Sequence, residues 1–73
     1  MTPLTKASIG VSVEISGFQG HEDLVVRLNE IGFTPGEGVR VVGRSLFKSP
    51  LFVEVRGAVV ALREGEASCI LIR

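Results

Sequence analysis

Tryptophan and tyrosine are missing altogether, and the only aromatic residues are four phenylalanines. Proline-rich peptides dock in grooves lined by several aromatic rings, so peptide capture of that kind is excluded on composition. There is a single cysteine, Cys69, so no disulfide forms within the chain; a lone thiol with no signal peptide ahead of it points to a reducing, cytoplasmic setting. The single histidine, His21, leaves little material for acid–base chemistry, which needs convergent groups of matched proton affinity. Neither a phosphate-binding glycine loop nor a G-x-S-x-G elbow occurs. An enzyme is therefore not expected, and no cofactor is implied. The longest apolar runs, such as Ala58 to Leu62, fall far short of the roughly 20 residues a membrane-spanning helix needs.

Charge of one sign is also lacking. Eight basic residues balance eight acidic ones along the chain, whereas binding to phosphate backbones depends on concentrated positive charge. Nucleic acid is not an expected partner, and scattered charges of this kind keep a small apolar-rich domain in solution. Seventy-three residues make one domain, 1–73.

What is present is a short helix in a chain of strands. Leu24, Leu28 and Ile31 recur at the spacing of one helical face, with Arg27 and Glu30 off it. Glu22 and Asp23 suit the positive end of the helix dipole. Gly32 stands where a left-handed cap ends a helix, and Thr34-Pro35-Gly36 has the chemistry of a type II turn. Around this helix the pattern is β. From Ile9, Val11, Val13 and Ile15 alternate with Ser12, Glu14 and Ser16, and Gly17 to Gly20 breaks that strand. A second strand is expected from Gly38 to Leu46, with Val39 and Val41 on one face, Val42 on the other, and Gly43 marking a bulge or bend. Phe47 to Pro50 reads as a loop. Leu51 to Arg56 follows with Leu51, Val53 and Val55 inward and Phe52 outward. Ala58 to Leu62 is a fourth strand with Val60 outward, Arg63 to Ala67 suits a single 3₁₀ turn, and Ser68 to Ile72 closes the chain. Leu4 tucks an extended lead-in against the core. The architecture expected is mainly β: a small SH3-like five-stranded barrel with one inserted α-helix and a 3₁₀ turn before the last strand.

Arg27-Leu28, Glu30 to Gly36, Phe47 and Pro50, Val55-Arg56-Gly57, Ala61-Leu62-Arg63 and Glu66-Ala67, in that order and with compatible gaps, resemble the FeoA family. The same module forms the C-terminal domain of metal-responsive repressors of the diphtheria toxin repressor type. Lys48-Ser49 departs from the Gly-Asp turn frequent in the family, and the glycine pattern of the first strand is only approximate at Gly10. The resemblance implies an accessory protein of bacterial ferrous iron uptake whose partner is the membrane GTPase transporter FeoB, with contact to the membrane only through that partner.

A protein-contact surface also has a basis in the residues. Val25 and Val26 add to the helix stripe, and Val42, Phe52 and Val60 face outward, leaving apolar area of the kind that marks interfaces or self-association. Leu28, Ile31, Phe33, Phe47 and Phe52 are the expected contact or contact-supporting residues. His21-Glu22-Asp23 offers acceptable iron ligands, but consecutive residues on a first turn point in different directions, so no metal site is assigned. Two other readings stay open: a small barrel associated with nucleic acid or the ribosome, around Gly38 to Gly43, and a metal-sensing module.

Overall fold

Alternation of β-branched and polar residues dominates the chain after Pro35, and a computed structural model, described here for residues 1–47 and 49–73, turns it into a ribbon of three strands. These are β3 (Gly38–Arg44), β4 (Leu51–Val55) and β5 (Ala58–Leu62). Ahead of them lie β1 (Thr2–Pro3), a 3₁₀ turn (Leu4–Lys6), β2 (Ser12–Phe18) and helix α1 (Glu22–Ile31); after them come α2 (Glu64–Ala67) and β6 (Ile70–Ile72). All strand pairs are antiparallel, in the order β1-β6-β2-β3-β4-β5. β2 is shared between two layers: Ser12 to Glu14 pair with β3, and Ile15 to Phe18 pair with β6. A register shift between Ile15 and Gly17 bends the strand at the changeover.

Inward residues of both layers and one face of α1 meet in a single core. Leu4, Ile15, Leu28, Phe33, Val39, Val41, Leu51, Val53, Val55, Leu62, Ile70 and Ile72 are all buried there. Full burial of each such side chain is worth about 1.5 to 3 kcal/mol. α1 ends in a Schellman motif: Gly32 (φ 127°) donates its N–H to Asn29 O, and Phe33 donates to Leu28 O at 3.0 Å. The chain then turns through Thr34 to Glu37, closed by Glu37 N–H to Thr34 O at 3.0 Å with Gly36 at φ 89°, the type II geometry expected of Pro-Gly.

Several expectations need correction. The sheet has six strands rather than five, because burying Leu4 lays Thr2 and Pro3 beside β6. β1 and β5 do not pair, so the curl is an open one. The turn before β6 is α-helical, with Ala67 N–H bonded to Arg63 O and Ser68 N–H to Glu64 O, while the 3₁₀ turn lies near the N-terminus. β2 starts at Ser12, leaving Ile9 and Val11 exposed, and continues through Gly17 because the bulge absorbs it. Val60 faces inward, not outward. It stands opposite buried Val53, and cross-strand partners share a face. The outward valine of β5 is Val59.

Candidate interaction surface

The three-strand ribbon presents an outer face on which Phe52 stands opposite Ala61, and Glu54 opposite Val59. Val42, Phe52, Val59 and Ala61 are exposed on it. Arg40 and Glu54 form an ion pair (2.9 Å) across the same face. Beyond Arg44 the β3–β4 loop projects Leu46 and Phe47, 95% and 88% exposed.

The base of that loop is tied down. Ser45 N–H donates to Pro50 O at 3.2 Å, the Ser45 hydroxyl donates to Ser49 O, and Glu64 N–H donates to Ser49 Oγ at 3.2 Å. On the other side the Arg44 guanidinium donates to Ala7 O at 2.6 Å. The sequence places Lys48 in this loop too, but that residue lies outside the described ones. At the foot of the loop Thr5, Lys6, Arg44, Leu51 and Glu64 line an open cavity of about 300 Å³.

The five residues singled out from sequence do not form one patch. Leu28 and Phe33 are fully buried and support the fold around the helix cap. Ile31 is exposed at the end of α1, whose neighbouring Gly32 sits against Val55 and Arg56. Phe52 lies towards the other end of β4, about 10 Å from Val55 at strand rise, and Phe47 lies beyond it. Phe47 and Phe52 therefore share one end of the ribbon, and Ile31 marks the opposite end. Leu46 and Val59 were missed by sequence reasoning. Leu46 reads as the last residue of a strand, and Val59 is indistinguishable from Val60 in a uniformly apolar run.

Electrostatics give the surface no single sign. Arg27 pairs with Glu66 (2.8 Å), Arg56 with Glu37 (3.2 Å) and Arg73 with Glu14 (3.9 Å), each joining different elements. Glu66 also accepts from Arg63 N–H at 2.9 Å, so one carboxylate staples α1 to the start of α2. With Arg27, Arg40 and Arg56 each neutralised by its own glutamate, no basic stripe runs through them, which counts against the nucleic-acid reading.

Candidate chemistry is equally dispersed. His21, Glu22 and Asp23 stand exposed at the start of α1, and no group of three or more His, Cys, Asp or Glu that could hold a metal ion occurs among the described residues. The Cys69 thiol donates to Gly65 O at 3.3 Å and lies so close to Gly20 (φ 108°) that a Cβ there would come within 2.8 Å of the sulfur. Among the described residues no helix is long and apolar enough to cross a membrane.

A small two-layer β fold with a shared, bent strand is the architecture of SH3-like domains, and solved structures confirm it. Iron(II) transport protein A from Clostridium thermocellum superposes with a TM-score of 0.91 at 25% identity, over 99% of this chain and 44% of that one. FeoA from Stenotrophomonas maltophilia, solved with zinc and described as a procaryotic SH3 domain protein, gives 0.88 at 30% identity, over 100% of this chain and 91% of that one. ScaR with bound Zn²⁺ gives 0.87 at 22% identity, over 100% of this chain and 36% of that one, which is likeness of fold. No match was found among curated proteins. The FeoA domain matches residues 2–73: this chain belongs to the FeoA family, which is associated with ferrous iron transport.

Proposed function

We propose that this chain is a non-enzymatic accessory protein of bacterial ferrous iron uptake that works in the cytoplasm by binding the cytosolic part of a FeoB-type GTPase transporter. Family membership supports the pathway. The observation that carries the binding role is the β3–β4 tip, where Leu46 and Phe47 are held out in solvent by a loop whose base is hydrogen-bonded. Exposing two large apolar side chains at one tip costs solubility and gives the fold nothing. Such a feature suits the buried centre of an interface, where large apolar anchors dominate binding. Phe52 and Val42 extend the contact on the outer face, Ile31 offers a separate one at the helix end, and Leu28 and Phe33 hold the frame from inside.

The test is calorimetric titration of the chain with the transporter's cytosolic domain. Phe47→Ala is expected to weaken binding at least about tenfold, as loss of an interface anchor does, with an unchanged circular dichroism spectrum. Unchanged affinity for Phe47→Ala and Leu46→Ala together would remove the tip from the proposal.

A further inference from the structure

The two edges of the sheet are finished differently. β1 is two residues long and contains Pro3, which has no N–H to offer; short strands and proline are devices that blunt an exposed edge. β5, at the other edge, has neither. It reads Ala58-Val59-Val60-Ala61-Leu62, with no charge, no proline and an unbroken register against β4. Val59 is 59% exposed.

The backbone groups on this edge follow from the turn before it. Arg56 and Gly57 both have positive φ (51° and 80°), the signature of a two-residue type I′ hairpin. In such a hairpin the flanking pair, Val55 and Ala58, exchanges both ladder bonds, and bonded pairs then alternate. Val60 and Leu62 therefore also bond towards β4. The N–H and C=O of Val59 and Ala61 point to the open side, and among the described residues no backbone bond outside the ladder engages them.

We propose that the β5 edge pairs with β5 of a second copy of this chain, antiparallel about a two-fold axis through Val60. The register follows from the free groups. Val59 of one copy faces Ala61 of the other, and Ala61 faces Val59, so all the open donors and acceptors of both residues are used. Sliding the register either way brings in Gly57, which is in the turn, or Arg63, whose N–H and C=O are already committed to Glu66 and Ala67. The symmetric register also sets Arg56, at one end of β5, beside the end of the second copy where Glu64 starts α2, twice over. Arg63 falls opposite Gly57, which has no side chain to oppose it. Val60, half-buried in one copy, is covered by Val60 of the other. A five-residue edge is well below the area of a standard stable interface, so the association is weak and concentration-dependent.

Sedimentation equilibrium and amide hydrogen exchange on the full chain test the pairing. The apparent mass is expected to rise from one chain towards two with concentration, and the Val59 and Ala61 amides to become more protected as it does. Ala61→Pro removes only an N–H that faces away from β4, a position where edge strands accept proline, and should lower the association constant at least about tenfold, the scale of a lost backbone bond. Val59→Lys, which leaves the backbone intact, should do the same and serves if the proline variant does not fold. A single-chain mass at every concentration with unchanged exchange at Val59 and Ala61 would overturn the proposal. So would association that survives both substitutions. If the two amides become protected only when another protein's domain is added, the edge belongs to a foreign strand and self-pairing is wrong.

Discussion

Phe33 and Phe47 each sit just past the end of a regular element, yet one is fully buried and the other almost fully exposed. The difference lies in what the backbone does next. After α1 the Schellman bonds draw Phe33 back over Leu28, and the turn at Thr34 to Glu37 returns the chain to the sheet, where Gly36 N–H bonds Ile15 O at 2.7 Å. After β3 the loop closes below Phe47 instead, through Ser45, Ser49 and Pro50, so the ring has no layer to fold onto. The same side chain thus serves the core in one place and leaves a surface in the other. Local hydrogen bonding, more than hydrophobicity, decides which.

Substitutions sharpen or break that contrast. Phe33→Ala should cost about 3 to 5 kcal/mol, a large part of the roughly 4 to 11 kcal/mol expected for a chain of this length, read as a lower midpoint in urea. Gly32→Ala leaves the ring in place but forces a methyl onto a backbone at φ 127°; a loss of about 1 to 3 kcal/mol is expected, and an unchanged midpoint would mean that the cap does not fix Phe33. Arg27→Ala breaks the exposed pair to Glu66 and should cost no more than about 1 kcal/mol, an effect that fades in high salt. Phe47→Ala should change stability by no more than about 0.5 kcal/mol while weakening transporter binding. If Phe47→Ala unfolded the protein as Phe33→Ala does, the contrast between the two rings would collapse.

Much of the fold was legible because the signals were periodic or chemically specific. The alternation in Leu51 to Val55 gave β4 and its inward face, Val39 and Val41 did the same for β3, and Gly32 and Pro35-Gly36 gave the cap and the turn. Where the sequence has no contrast, it could not choose. Ala58 to Leu62 is apolar throughout, so the inward assignment of Val60 came only from its pairing with Val53. The bend in β2 and the pairing of Thr2 and Pro3 with β6 depend on residues far away in the chain, and no local pattern encodes them. The proposed surface is half legible in exposure: Phe52 reads as outward and Phe47 as a loop residue, and both are exposed, whereas Leu46 reads as strand, and Phe33 separates from Phe47 only through the hydrogen bonds of the cap and the loop.

The irregularity in β3 acts as a parity switch. Val41 pairs with Val53 and Gly43 with Phe52, so Val42 is passed over, and from there on even numbers take the side that odd numbers held. That is how Arg44 comes level with Leu51 and reaches the Ala7 carbonyl. Were Val42 instead paired with Phe52 and Gly43 with Leu51, strict alternation would turn the arginine to the outer face and unfasten the N-terminal turn, although no core side chain had been touched.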